Sequence, residues 1–497
     1  MVTVAAGVGV LLLVFILSVL FHTTLKMYQK RGQLPPGPTP WFFLGNILQK
    51  DVLPLGHSYE KLVKKYGPIF TVWMGPNPMV VLCGYEVVKD ALVDHSEEFG
   101  GRPDLPTNDR ITKGLGIISR DDNKWRELRR FTLSTLRDFG MGKKTMSEKV
   151  QEEARFLMEQ FAATKGQAFN PTKNMASSVA NVICSVILGT RFDDKDPTFV
   201  HFVHTMDNFV RFFESFGATV YATLPNIMFY LPGPHKKVMA DCEKLCDFIH
   251  KVVESHKKTL DPQNPRDYID CFLLRSVKEQ TSNVDMFTAE DLVMSVFNLA
   301  TAGTVSTSQV LLYSLLMMTR FPQVQAKVQQ EIDDVVTGNR YPGMEDRVKM
   351  PYTNAVIHEI LRYQTGSSEN FPRAMTRRTE FRGYTLPQFT AVSPLLLSVL
   401  SDPLYWETPD KFNPGHFLNE KGEFRKRDAY LPFSAGKRAC PGEALARMEL
   451  FLFFSTLLQN FTFQEAGVSD ERHVHSVWKE FRKTGVYPSI KAIKREI

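Results

Sequence analysis

Ten residues near the C-terminal end constrain this chain more than any others: Phe433-Ser-Ala-Gly436-Lys-Arg438-Ala-Cys440-Pro441-Gly442. Gly436 can take backbone angles closed to a residue with a Cβ, so the chain can turn sharply just before the sulfur. Gly442 leaves room for a large flat ligand to approach the backbone. Pro441 suits the first position of a helix, and Glu443 and the apolar run 444–461 continue it. A helix that apolar has to be buried, which puts Cys440 at the N-terminus of a core helix. The positive end of such a helix favours a thiolate over a thiol, and Arg438 adds a fixed charge that can hold an anion.

A thiolate so placed can ligate a metal, act as a nucleophile or do nothing. A lone cysteine is usually an inert buried thiol, but that leaves the two glycines, the arginine and the helix start without a purpose. Zinc needs further cysteines or histidines at short spacing, and the neighbouring sequence has none. A single axial thiolate to a haem iron, with Arg438 on a propionate, fits all of these features. The decapeptide closely resembles the haem-binding loop of the cytochrome P-450 superfamily, the haem-thiolate monooxygenases.

The other cysteines (Cys83, Cys184, Cys242, Cys246 and Cys271) suggest no disulfide framework and point to a reducing compartment. Residues 2–25 carry no charged side chain, counting His22 as neutral, and 8–21 are almost continuously apolar. That stretch is long enough to cross a bilayer as a helix. Lys26, Lys30 and Arg31 follow it, so the positive-inside rule leaves the bulk of the chain in the cytosol. A cleaved signal peptide would need a basic start and a shorter apolar stretch. The net charge of +6 suits an anionic membrane or an acidic protein partner, and the chain lacks the basic-aromatic clusters of a nucleic-acid binder.

Leu34-Pro-Pro-Gly-Pro-Thr-Pro40 is a stiff spacer after the basic flank. The organisation expected is an anchor at 1–25, a flank and spacer at 26–40, and one catalytic domain at 41–497. Within it, 69–73 and 79–82 are strand-like and flank a turn at Gly75-Pro-Asn-Pro78. Helical periodicity covers 53–66, 85–94, 124–136, 146–164, 177–188, 199–216 and 238–259. The aromatic stretch 218–235 suits either core or a loop dipping into lipid. Thr288-Ala-Glu-Asp291 is a capping box opening a helix of about 32 residues, closed at Phe321-Pro322. Helices at 324–336 and 352–363 and strands at 380–386 and 390–396 complete a mainly α fold with a small β component. The resemblance implies the cytochrome P-450 fold, a single large haem domain behind an N-terminal transmembrane helix.

The resemblance also assigns roles. Glu359 and Arg362, three apart on one helix, and His416 of Phe412-Asn-Pro-Gly-His416 imply a buried structural network bracing the haem core. Trp125 and Arg129 in Trp125-Arg-Glu-Leu-Arg129 resemble a propionate-binding pair, and Arg373 in Phe371-Pro-Arg373 matches another propionate position. Lys113, ahead of Gly114-Leu-Gly116, stands where relatives carry an arginine. Phe433, Gly436, Arg438, Cys440 and Gly442 complete the cofactor set. In the long helix, relatives have Ala/Gly-Gly-x-(Asp/Glu)-Thr, an acid–alcohol pair delivering protons to bound oxygen. Here Ala302-Gly303-Thr304-Val305-Ser306-Thr307 keeps the glycine, loses the acid at Val305 and has serine for threonine. Ser306, Thr304 and Thr307 are the candidate relay, and Asn298, Thr301, Ala302 and Glu369 the candidate substrate pocket. Gln388-Phe389 also departs, where relatives have Lys-Gly.

Taken with the Pro-Pro-Gly-Pro spacer and Asn264-Pro-Arg-Asp267-Tyr-Ile-Asp270, these features resemble the vertebrate-type microsomal family two. That implies a monooxygenase in the endoplasmic reticulum membrane, acting on a small hydrophobic substrate with haem b held by Cys440. Electrons would come from NADPH through a flavoprotein reductase, with cytochrome b5 as a further partner, docking near Lys437, Arg447, Arg425 and Lys426. A haem-thiolate hydroperoxide isomerase and a non-catalytic haem carrier or sensor are the alternatives.

Overall fold

The computed structural model describes the chain except residues 1, 140–143, 281–286, 338–339, 365–370, 467–473 and 497, and except the side chains of 2–9, 12, 13, 16 and 280. Helix α1 spans Val2–Arg31. Among the described residues no helix is long and apolar enough to cross a membrane; the span expected at 1–25 falls in large part on side chains outside that description. Strands β1 (Ile69–Met74) and β2 (Asn77–Leu82) pair antiparallel, from Ile69 opposite Leu82 to Met74 opposite Asn77. Among the helices that follow are α2 (Asn123–Asp138), α3 (Lys144–Ala162), α4 (Thr172–Ile187), α5 (Pro197–Phe213), α6 (Pro234–Thr259) and the long α7 (Ala289–Arg320). Then come α8 (Pro322–Val335), α9 (Pro351–Tyr363), β3 (Arg373–Ala374), β4 (Ala391–Pro394) and α10 (Glu443–Asn460).

The sheet order β1-β2-β4-β3 places β4 parallel to β2, so the C-terminal half of the chain returns beside the N-terminal hairpin. This return brings Arg373, opposite Val392, to the edge of the sheet. The main apolar core is built around α7, against which α4, α5, α6 and α10 pack. A helix apolar on nearly every side is stable only in such a place.

The ends of α7 are set by local chemistry. The Thr288 hydroxyl accepts from the Asp291 N–H at 3.1 Å, as an N-cap should. Asp291 does not complete the capping box, however. Its buried carboxylate takes the Thr288 hydroxyl proton at 2.6 Å and pairs with Lys124 at 2.6 Å and Arg120 at 3.3 Å, which pins the start of α2 to α7. Helix α10 begins at Glu443 rather than at Pro441, with Gly442 as its N-cap. It ends at Asn460: Phe461 opens a strand, Phe461–Glu465, paired with Ile490–Lys494. The aromatic stretch after α5 folds into two short helices, Phe216–Thr223 and Pro225–Met228, and leaves Phe216, Ile227 and Tyr230 largely exposed.

Candidate active site

Cys440 lies at the close of a tight turn. Its N–H donates to the Phe433 carbonyl at 2.9 Å, and the Ala439 N–H donates to the Gly436 carbonyl at 3.0 Å. Gly436 has φ 71°, and a Cβ there would fall 1.7 Å from the Leu92 carbonyl oxygen. No other residue fits. At Gly442 a Cβ would meet nothing nearer than the Cys440 sulfur, at 4.0 Å, so the space beside the sulfur is open. Desolvation by the walls of the site pushes the Cys440 thiol up; the N–H groups of Gly442 and Glu443 and the charge of Arg129 pull towards the thiolate, and the Glu443 carboxylate opposes them. The helix end acts in the expected direction but is outweighed by desolvation. The charge of a coordinated metal ion is what removes such a proton outright.

Four guanidinium groups gather beside this loop. Arg438 donates to the Gly100 carbonyl at 2.9 Å and the Arg120 carbonyl at 2.5 Å, with its Cζ 3.4 Å over the Trp125 ring. Arg129 donates to the Ala439 carbonyl. Arg373 reaches the Ser434 hydroxyl at 3.0 Å. Arg102 donates to the carbonyls of Ile118 at 3.0 Å and Pro372 at 2.6 Å. Every one of these acceptors is neutral. Burial first, then the charges of neighbouring guanidiniums, push Arg438 down to about 8, Arg373 to about 9 and Arg102 to about 10, with Asp121 only partly opposing this at Arg438 and Arg102. A guanidinium keeps its proton in proteins, so the depression marks charges that are buried together with too little negative charge nearby to offset the cost. The Arg373 Nε and an Arg438 Nη are moreover buried without an acceptor among the described residues. Orphaned donors on unanswered cations, next to a cysteine and an open space, fit the two carboxylates of haem.

The sequence placed three of these arginines and missed Arg102, which sits in Gly101-Arg102-Pro103, a tract with no periodic pattern to show where its side chain goes. Lys113, expected in its place, is exposed at the left-handed end of helix Pro106–Thr112, and its charge is felt at Cys246. Trp125 also differs from expectation. Its indole N–H is spent on the Ile117 carbonyl at 3.0 Å, and its ring serves as the plate on which Arg438 lies.

Glu359, Arg362 and His416 meet in one buried network. Arg362 makes a fork to Glu359, both bonds 2.7 Å, and donates to the carbonyls of Leu400, Pro409 and Lys411 at 2.8, 3.0 and 2.9 Å. The His416 Nε2 accepts from the Thr408 N–H at 3.2 Å, which leaves Nδ1–H to donate to Glu359 at 3.2 Å. The Asn413 N–H completes the carboxylate at 2.8 Å.

The family model for cytochrome P450 matches residues 35–481. This chain belongs to the cytochrome P450 family. It is 48% identical to cytochrome P450 2C11 of Rattus norvegicus over 91% of both chains. It is 47% identical to cytochrome P450 2G1 of Oryctolagus cuniculus over 88% of both, and 44% identical to cytochrome P450 2B4 of the same species over 91% of this chain and 92% of that one. Membership makes it a haem-thiolate monooxygenase whose haem is held by a cysteine thiolate and whose electrons come from NADPH through a reductase.

In this cytochrome P450 the open strip of α7 is narrow. Ala302 and Ser306 are exposed, while Thr301, Thr304, Val305 and Thr307 are buried. The Ser306 hydroxyl donates back to the Ala302 carbonyl at 2.6 Å. Thr304 and Thr307, expected beside it, point elsewhere: Thr304 is 1% exposed with no hydrogen-bond partner among the described residues, and Thr307 is buried on the side of the Glu449 carboxyl of α10. The direction of Gly303 agrees, since a Cβ there would strike Ile183 of α4. Val305 packs in the main apolar cluster. Of the pocket candidates, Thr301 has a free hydroxyl, Asn298 is turned to a backbone loop, and Glu369 lies outside the described residues.

Proposed function

We propose that this chain is an endoplasmic-reticulum-anchored monooxygenase that inserts one atom of O2 into a small hydrophobic substrate such as a xenobiotic, fatty acid or steroid. The cationic cluster beside Cys440 carries the reading: Arg438, Arg373, Arg129 and Arg102 would hold the propionates and Cys440 the iron. When bound, haem supplies reductive oxygen activation, and thiolate ligation favours O–O cleavage. The chain's own part is to anchor the anionic edge, keep the sulfur in a turn that Gly436 alone permits, and offer Ser306 as the one relay hydroxyl exposed on the strip. The uncharged run 2–25 supports the anchor, as do the exposed Val10, Leu11, Phe15 and Phe21 along α1 and the exposed Trp41 and Phe42 just beyond it.

An acidic reductase, with cytochrome b5 as a second donor, would dock on the basic side of the cysteine loop. Lys437, Arg425 and Arg447 are already paired, with Glu97, Glu407 and Glu443 respectively, while Lys426 is exposed. A recess of about 550 Å³ between Lys144, Arg347 and Arg447 adds positive surface there.

A specific observation favours a second reading: with Val305 buried and Ser306 bonded to its own helix, proton delivery has no acid, so a hydroperoxide isomerase is the rival. The test is turnover with purified reductase, NADPH and isotopically labelled O2 across fatty acids, steroids and drug-like amines. Label in product supports monooxygenation; turnover of a hydroperoxide without reductase supports the rival. Val305→Glu is expected to raise product per NADPH and lower peroxide release. Unchanged coupling in a poorly coupled parent would sink the account of the relay.

A further inference from the structure

Asn298 was expected to face substrate, and its side chain does something else. Its Oδ1 accepts two backbone N–H groups of the segment before α2, from Ile117 at 3.0 Å and Ile118 at 3.3 Å. Gly116 makes this approach feasible: it has φ 79°, and a Cβ there would lie 2.5 Å from that same oxygen. The carbonyls of the same two residues point the other way and are both in use. Ile117 accepts the Trp125 indole N–H at 3.0 Å, and Ile118 accepts the Arg102 Nε at 3.0 Å. Trp125 in turn carries the Arg438 guanidinium on its ring at 3.4 Å. One oxygen on α7 therefore holds the two residues whose carbonyls orient two cations of the cluster: Ile118 takes Arg102 directly, and Ile117 takes the indole that carries Arg438.

We propose that Asn298 is a positioning residue for the anionic edge of the cofactor: it sets the 117–118 segment so that Trp125 and Arg102 hold the guanidiniums ready for the propionates. The proposal rests on the reading of the arginine cluster as the propionate site. Asn298 touches neither cofactor nor substrate in this role. Its amide nitrogen has no part in the link, so a carboxylate should serve as well as the amide. Two lost hydrogen bonds correspond to roughly a tenfold change in an equilibrium or rate that depends on them.

The test is release of haem from the purified, haem-loaded full-length protein to an excess of an apoglobin acceptor, followed by absorbance. Asn298→Leu is expected to release haem about tenfold faster, Asn298→Asp at close to the parent rate, and Arg438→Leu faster than the parent. If Asn298→Leu matches the parent while Arg438→Leu is fast, the cluster reading stands and the role of Asn298 is wrong. If both match the parent, the cluster reading fails and takes the proposal with it. If Asn298→Asp is as fast as Asn298→Leu, the acceptor oxygen is not what matters and the proposal is overturned. Should Asn298→Leu not accumulate as folded protein, Trp125→Phe reads the same link from its other end, since it removes the N–H that reaches Ile117 and leaves a smaller aromatic ring under Arg438. Faster release then supports the link, and unchanged release overturns it.

Discussion

Glu449 is 1% exposed on α10, with Thr307 beside its carboxyl and its Oε1 without a partner among the described residues. Burial raises its pKa well above the usual 4.5, so folding favours the neutral acid over the carboxylate. An unfolded chain ionises this group first, and its contribution to stability, complete below pH 4.5, is lost as pH rises towards the folded value. Glu449→Gln, which cannot ionise, should match the parent in thermal unfolding at acid pH and exceed it increasingly towards alkaline pH. A constant offset across that range would show that Glu449 does not titrate on unfolding. Phe389 offers a second residue-scale case. It stands at φ 64° and is 76% exposed, so a bulky side chain occupies a left-handed position with little packing to offset it. Phe389→Gly should raise stability by about 1 kcal/mol, read as a higher denaturant midpoint at unchanged slope. The cost of this side chain is not visible in the sequence and is revealed by the backbone angle.

At the scale of elements, the Glu359–Arg362–His416 network fastens α9 to the segments on either side of Phe412. The fork at 2.7 Å is wholly buried, and the carbonyls that Arg362 also reaches come from two places in the chain, Leu400 and the stretch 409–411. Arg362→Met would leave the buried Glu359 carboxylate without its cation, held only by His416 and the Asn413 N–H, so it should cost about 3–5 kcal/mol, measured by chemical unfolding of the haem-loaded protein. The double variant Arg362→Met with Glu359→Gln should recover part of that loss, because the stranded charge is gone; no recovery would mean that the carbonyl contacts carry the stability. The helices that could be read from the sequence were those with long, regular apolar spacing. The limits of α4, α6 and α9 came within a few residues of expectation, since a 3.6-residue stripe repeats often enough to be recognised. The strands at Phe461–Glu465 and Ile490–Lys494 were not anticipated. Each is five residues long, and each is stabilised by a partner remote in sequence rather than by its own pattern.

At the scale of the molecule, an anchor separate from the catalytic domain predicts a simple outcome. Deleting residues 1–25 should abolish resistance to alkaline extraction from membranes and leave the thiolate-type carbon monoxide spectrum intact. Carbonate-resistant attachment of the truncated protein would place the anchoring elsewhere, with the exposed Phe216, Ile227 and Tyr230 the first place to look. Cys440 and its turn, the long helix, the bracing network and three of the four arginines were all legible in the sequence. Each is announced by a short local signal: a glycine needed by backbone geometry, a cap, or a spacing of three or four. The packed structure decided the rest. Arg102 joins the cluster because a loop without periodicity happens to fold over it, Lys113 leaves because its helix ends in a left-handed turn, and Thr304 and Thr307 turn away because α4 and α10 fix the rotation of α7. Asn298 passes from the substrate list to a backbone clamp for the same reason. Local sequence specifies which residues lie on one face of a helix, but which way that face points is set by the neighbours that bury it.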